Sequence, residues 1–152
     1  MLSEKFEMQN LGKIKQYLGI EVTQDEDGNF ELCQSRYIER IASSFGLQDT
    51  KGANTPLDVG YYKSLTESSD QLCDNSEYQK LIGCLLYVSV NSRPDITASV
   101  SILAQKVSSP RPEDWNQLKR VVKYLKATSK LKLKLSNIIS DNDGLIGYAD
   151  AN

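Results

Sequence analysis

The 152-residue sequence has no histidine and only three cysteines. Without histidine there can be no Ser-His-Asp or Cys-His arrangement, which removes the usual routes to an activated nucleophile. An odd number of widely spaced cysteines, Cys33, Cys73 and Cys84, indicates neither a disulfide framework nor a zinc site. We therefore expect reduced cysteines that serve in packing, and no self-contained hydrolase chemistry.

Long apolar runs are also missing. Runs such as residues 81–88 fall far short of the roughly 20 residues that a membrane-spanning helix needs. The N-terminus has no basic region followed by an apolar stretch and a small-residue cleavage site, so it does not resemble a secretion signal. The sequence thus predicts an intracellular protein that does not associate with a membrane.

The charges are unevenly distributed along a chain whose net charge is only −2. Residues 1–78 contain 14 acidic and 7 basic residues, whereas residues 79–152 contain 6 acidic and 11 basic residues. The basic residues concentrate between Lys119 and Lys134. This local asymmetry suggests an anionic partner for the second half of the chain.

The first half of the chain shows a strand pattern followed by a helix pattern. Apolar residues partly alternate over 16–24 and 30–34, and the polar residues 25–29 supply turn chemistry between them, which predicts a hairpin. From Ser35 the apolar spacing becomes helical, and Gly46 is a natural C-terminal stop. Residues 48–75 lack a sustained apolar period, so we expect a long connection there.

The second half predicts three helices and two strands. The first helix covers residues 76–91, with Ser76 and Gln79 in the register of a capping box. The second contains Pro94 in its first turn, and the third begins near Pro112. Alternation then predicts strands at 131–135 and 145–150. The fold class is therefore α+β.

Two stretches of the sequence resemble the reverse transcriptases of copia-type retrotransposons. The first contains residues 6–12, 17–22 and 34–38. The second runs through residues 78–87, then Arg93-Pro94-Asp95-Ile96, then Trp115, residues 119–126 and Thr128. The order and spacing of these motifs match the family along nearly the whole chain.

The resemblance implies a fragment of the Pol polyprotein with three parts. Residues 1–34 would be the end of the palm with a primer-grip-like hairpin, and residues 35–130 a helical thumb-like region. Residues 131–152 would be a connection and the first strand of an incomplete ribonuclease H sheet, with 131–135 and 145–150 as its terminal β pair. The surviving role would be to hold the primer–template duplex, either an RNA–DNA hybrid or DNA. The rest of the polyprotein would be a further partner, in the cytoplasm or in virus-like particles.

The same resemblance implies where nucleic acid would bind. Leu18 and Gly19 match the primer-grip motif, in which a glycine lets the backbone approach a nucleic-acid backbone closely. The alternative is a structural hairpin whose glycine only relieves packing. Lys119, Lys123 and Lys126, followed by Lys130, have helical spacing, which would place ammonium groups in a row that can follow phosphates. The alternative for this row is a solvated helix face.

Three other residues are expected to be structural, and a fourth is expected to be a metal ligand without the other ligands of its site. Trp115 lies in the apolar register and should belong to the core, while Arg93 and Asp95 should form an ion pair at a helix corner. Asp150 falls on the first metal-binding carboxylate of ribonuclease H, but the other ligands of that site would lie beyond Asn152.

The polymerase aspartates of the family should lie before Met1, so we expect no cofactor in this fragment, although the intact parent would use magnesium. The fragment should be inactive alone. A domesticated, non-catalytic protein-interaction module remains the alternative to nucleic-acid binding.

Overall fold

The computed structural model describes residues 12–61 and 74–136 and has α+β architecture, as the sequence predicts. Over these residues the chain forms four strands, four α-helices and one short 3₁₀ turn. In chain order they are β1 (Gln16–Tyr17), β2 (Ile20–Gln24), β3 (Phe30–Cys33), α1 (Ser35–Ser44), α2 (Ser76–Asn91), the 3₁₀ turn (Pro94–Ile96), α3 (Thr97–Ala104), α4 (Pro112–Ala127) and β4 (Leu133–Leu135).

The four strands form one antiparallel sheet in the order β1-β2-β3-β4. The hairpin predicted from strands at 16–24 and 30–34 is confirmed, with β2 and β3 as its strands. Its turn is held by Asp25, whose carboxylate accepts hydrogen bonds from the backbone N and side-chain Nδ2 of Asn29, both at 2.8 Å. The predicted single strand over 16–24 is wrong. Leu18 and Gly19 break it into β1 and β2, because both residues have positive φ angles that no strand can contain.

The two faces of the sheet differ in polarity because directly paired residues of antiparallel strands share a face. One face has the apolar row Val22, Leu32 and Leu133, and the other has the polar row Thr23, Glu31 and Lys134. Lys132 and Lys134 pair with Glu31 and Asp25 at 2.7 and 3.6 Å.

Strand β4, which was predicted at 131–135, pairs with β3. The partner that we expected for it, at 145–150, lies outside the described residues. The sheet joins the hairpin to the segment after α4.

The core lies between the helices, because each helix turns an apolar stripe inward. Helices α2 and α3 lie side by side, and α4 packs against both α1 and α3. The fully buried apolar side chains at this centre are Ile38, Leu81, Leu85, Val88, Ile96, Val100, Leu103, Leu118, Val121, Val122 and Leu125. No helix in the described part of the chain is long and apolar enough to cross a membrane.

The start of α2 is capped differently from the sequence expectation, whereas the starts at Pro94 and Pro112 agree with it. The predicted capping box at Ser76 is not formed. Instead, the Asp74 carboxylate accepts hydrogen bonds from the Ser76 backbone N at 2.8 Å and from its hydroxyl at 3.0 Å. Pro94 occupies a first turn as predicted, and that turn is 3₁₀. The predicted start of α4 at Pro112 is confirmed.

The described part of the long connection, up to residue 61, is bound along α4. Asp58 accepts from Gln117 Nε2 at 2.9 Å and pairs with Arg120 at 2.9 Å. Further back, the backbone N of Ala53 donates to the Lys123 carbonyl at 3.4 Å. We call residues 47–61 the strap, since they lie across one side of α4.

Candidate nucleic-acid interface

The turn between β1 and β2 consists of Leu18 and Gly19 alone. Tyr17 and Ile20 pair on either side of it, and the two turn residues have φ angles of 48° and 82°. Positive φ at both positions is the pattern of a two-residue hairpin turn, in which Asn-Gly is the common sequence. A leucine in this conformation costs about 1 kcal/mol, and the Leu18 side chain is 70% exposed.

The turn is held against the helices by aromatic side chains. The Tyr87 hydroxyl of α2 donates a hydrogen bond to the Leu18 carbonyl. The Tyr87 ring meets the Tyr37 ring of α1 edge to face, with centroids 5.4 Å apart. The Arg40 guanidinium lies 5.3 Å from the Tyr37 ring centroid. The turn, α1 and α2 therefore meet at one place on the surface.

Tyr37 stays neutral at physiological pH. Burial, followed by a hydrogen bond with Cys84, raises the pKa of Tyr37 to about 12. Tyr37 therefore adds no negative charge beside the turn. Arg40 supplies a positive charge there, because its Nη2 lies 3.9 Å from the position that a Cβ atom of Gly19 would occupy.

The three α4 lysines do not form the open outward row that their spacing suggests. All three are half-buried. Lys119 Nζ lies 5.5 Å from the ring centroid of Trp115. Lys126 Nζ donates to the carbonyls of Leu47, Gln48 and Thr50 at 3.3, 2.5 and 2.7 Å. Lys126 therefore binds the start of the strap to α4.

The other two lysines of the expected row differ from each other. Lys123 contributes its backbone carbonyl to the strap. Helix α4 ends at Ala127, so Lys130 is not on the helix and does not extend the row. The sequence could not show that the strap occupies Lys123 and Lys126, because the position of the strap depends on contacts between residues far apart in the chain.

Arg93 and Asp95 form the predicted ion pair at the corner between α2 and α3. The guanidinium is buried and donates to both carboxylate oxygens of Asp95, at 2.9 and 2.7 Å. It also donates to the carbonyl and hydroxyl oxygens of Thr128 at 3.0 and 2.7 Å, while the Tyr124 hydroxyl donates to Asp95 at 2.9 Å. The hydrogen bonds from Arg93 lower the pKa of Asp95. The pair thus ties the corner to the C-terminal end of α4.

Trp115 is a core residue, as expected. It is half-buried against the central cluster, and its ring centroid lies 6.2 Å from those of both Phe45 and Tyr78.

Asp114 is a buried residue whose importance the sequence did not reveal. Its carboxylate accepts from the Arg111 backbone N at 2.8 Å, from Arg111 Nη2 at 3.1 Å and from the Tyr61 hydroxyl at 2.7 Å. Burial acts to raise the pKa of Asp114, but these hydrogen bonds outweigh it and hold the pKa below 3.8. Its spacing from Arg111 was the available signal, since a side chain at the third helical position can accept from the N-cap backbone.

Comparison with known proteins finds relatives among reverse transcriptases and retrotransposon Pol polyproteins. Residues 1–59 match the sequence model of the family described as reverse transcriptase (RNA-dependent DNA polymerase). The chain is also 32% identical, over 99% of its length, to the retrovirus-related Pol polyprotein from transposon RE2 of Arabidopsis thaliana. The chain belongs to the Pol family of copia-type retrotransposons.

Two further relatives are similar to the chain. The Pol polyprotein from transposon TNT 1-94 of Nicotiana tabacum is 30% identical over 84% of the chain. An uncharacterized mitochondrial protein of Arabidopsis thaliana is 35% identical, also over 84% of the chain. The chain spans 51% of the mitochondrial protein and 10% of each of the two Pol polyproteins. No solved structure matches the chain.

The metal ligand expected from the Pol family resemblance, Asp150, lies outside the described residues. Within 12–61 and 74–136 there is no group of three or more His, Cys, Asp or Glu side chains that could hold a metal ion.

Proposed function

We propose that this stretch of a retrotransposon reverse transcriptase holds the primer–template duplex, with the turn at Leu18 and Gly19 as its main contact. The duplex would be an RNA–DNA hybrid or DNA. The observation that carries the proposal is Leu18, which is 70% exposed and has a φ angle of 48°. Strained, exposed residues of this kind are often kept at functional sites.

The chemistry of the turn suits a nucleic-acid backbone. At Gly19 no side chain projects from the turn, so the backbone can come close to a sugar or phosphate. Leu18 offers apolar contact to a sugar, and Arg40 provides a positive charge beside it. None of these groups reads a base edge, so binding should depend little on nucleic-acid sequence.

The lysines of α4 contribute unequally in this proposal. Lys119 and Lys123 can contact phosphates, whereas Lys126 is already bound to three carbonyls. With so few cations and a net charge of −2, the dissociation constant should fall within the non-specific range of about 10⁻⁴–10⁻⁶ M.

The remaining assignments also stand as proposals. Residues 1–34 would close the palm, 35–130 would form the thumb, and 131–152 would enter ribonuclease H, where Asp150 would hold magnesium together with ligands from the rest of the polyprotein. The pairing of β4 with β3 would then carry the sheet from the palm hairpin into that last part. The chain by itself should neither polymerise nucleotides nor cleave RNA.

Replacing Leu18 by asparagine tests the proposal, because asparagine suits the positive φ angle and removes the exposed apolar side chain. The free energy of unfolding should stay the same or rise by up to about 1 kcal/mol. Affinity for a labelled RNA–DNA hybrid duplex, measured by fluorescence anisotropy, should fall about tenfold, equivalent to about 1.4 kcal/mol.

Val59→Asn is the matched control, since Val59 is fully exposed on the strap and far along the chain from the turn. It should bind as the wild type does. If Leu18→Asn also bound with wild-type affinity, the turn would not be the contact, and the protein-interaction alternative would gain support.

A further inference from the structure

We infer that Thr55 on the strap is a phosphorylation site for a proline-directed protein kinase, and that Arg120 of α4 binds the phosphate once it is attached. The site lies on the strap and not at the turn of Leu18 and Gly19, so it is independent of the proposed function. The modification changes how the strap is bound to α4.

Thr55 is accessible to an enzyme. It is exposed, and residues 54–57 around it form neither helix nor strand. Pro56 follows it and is half-buried. A proline disfavours helical backbone at the residue before it and has no N–H of its own, so a Thr-Pro pair suits a kinase cleft that binds an extended substrate. Thr-Pro is also the minimal sequence that a proline-directed kinase recognises.

The sequence has one other Ser-Pro or Thr-Pro pair, Ser109-Pro110. Ser109 is exposed, but Pro110 is buried, and the Ser109 backbone N donates to the Lys106 carbonyl at 3.1 Å. A kinase that must contact the proline cannot do so here without unfolding the chain just before α4. The fold therefore leaves Thr55 as the accessible member of the two.

Arg120 already contacts the hydroxyl that would be modified. Its Nη2 donates to Thr55 Oγ1 at 3.1 Å, and its Nη1 pairs with Asp58 at 2.9 Å. The Arg120 side chain is 30% exposed, so phosphate oxygens on Thr55 can stay in solvent and still reach the guanidinium. Arginine binds phosphate through short, charge-assisted hydrogen bonds that are frequently bidentate.

A phosphate on Thr55 displaces Asp58 from Arg120. Phosphothreonine has a charge of about −1.5 to −2 at pH 7, so it attracts the guanidinium more strongly than a single carboxylate does, and it repels Asp58. Thr55 also loses the proton that it donates to the Leu57 carbonyl at 2.9 Å. Asp58 keeps its hydrogen bond from Gln117 Nε2 at 2.9 Å. The strap therefore stays on α4 but is held at Thr55 instead of Asp58.

The modification is an ordinary phosphoryl transfer from magnesium ATP. Thr55 Oγ1 attacks the γ-phosphorus, and the Oγ1–P bond forms as the bond from the γ-phosphorus to its bridging oxygen breaks. ADP leaves with the electron pair of that bond. The hydroxyl proton passes to the catalytic carboxylate of the kinase.

Phosphate mapping tests the site. The whole chain is incubated with a purified proline-directed kinase and magnesium ATP, and the modified residue is located by mass spectrometry of its peptides. We expect phosphate on Thr55 in the wild type and in Ser109→Ala, and none in Thr55→Ala. Thr55→Ser keeps a hydroxyl before Pro56 and should still be modified. Modification of Ser109 as fast as Thr55, or no modification of the wild type, would overturn the inference.

A ³¹P NMR titration tests the role of Arg120. A guanidinium beside the phosphate stabilises its dianion, so it should lower the second pKa of the phosphothreonine from its usual value of about 6. This pKa should be about half a unit lower in the phosphorylated wild type than in phosphorylated Arg120→Gln. Lys130→Gln, at an exposed position beyond α4, should titrate as the wild type does. Equal pKa values for the wild type and Arg120→Gln would show that Arg120 does not bind the phosphate.

Discussion

Leu18 and Asp114 show how differently single residues serve this molecule. Leu18 is exposed and strained, and we propose that it contacts nucleic acid. Asp114 is completely buried and holds Arg111 and Tyr61, which makes it a residue kept for folding. The resemblance pointed to Leu18. The spacing of Asp114 from Arg111 indicated a helix cap, but its contact with Tyr61 could not be predicted, because Tyr61 lies on the strap, far from α4 in the chain.

We expect Asp114→Asn to lower the free energy of unfolding by about 3–5 kcal/mol, since it removes the carboxylate that accepts from the Arg111 guanidinium and the Tyr61 hydroxyl in a buried site. Urea denaturation followed by circular dichroism measures this change. Asp27→Asn, at an exposed turn position, is the control and should change stability by less than about 0.5 kcal/mol.

The same carboxylate predicts a pH dependence. Because the folded-state pKa of Asp114 lies below 3.8, its contribution to stability is present above that pH and is lost as the pH falls through the lowered value. The wild type should therefore lose stability more steeply than Asp114→Asn on acidification below about pH 4. Parallel stability curves for the two proteins would contradict this assignment.

At the scale of elements, the strap decides which α4 lysines remain available to bind a phosphate, because Lys126 already binds three strap carbonyls. Helix periodicity showed correctly where α1, α2 and α4 lie, because their apolar stripes are a local property of the sequence. It could not show that residues 47–61 would cover one side of α4. For the same reason the pairing of β4 with β3 was not predicted. The break at Leu18 and Gly19 and the cap at Asp74 are local features that the sequence pattern did not distinguish from a continuous strand and a capping box.

Lys126→Met tests the strap. The substitution removes the ammonium group from the carbonyls of Leu47, Gln48 and Thr50 while retaining most of the aliphatic chain. We expect a loss of about 1–2 kcal/mol in the free energy of unfolding and faster amide exchange over residues 47–53. Lys130→Met, at an exposed position beyond α4, should leave both unchanged. If Lys126→Met also left them unchanged, the lysine would not be holding the strap.

At the scale of the whole molecule, a helical core supports a small sheet whose turn rests on α2. The rigid parts are the packed helices and the Arg93 network at their corner. The surface that we propose for nucleic acid lies at the turn, where the sheet meets α1 and α2. This arrangement places the contact on ordered elements, which fits a role in holding a duplex in one position.

Amide chemical-shift mapping tests the central claim most directly. A ¹⁵N-labelled chain is titrated with a short RNA–DNA hybrid duplex at low salt. The largest shifts should occur at Leu18 and Gly19 and extend to Arg40 beside the turn. Shifts that left the turn unchanged, or no shifts at duplex concentrations well above about 10⁻⁴ M, would contradict the claim that this chain holds nucleic acid at the turn.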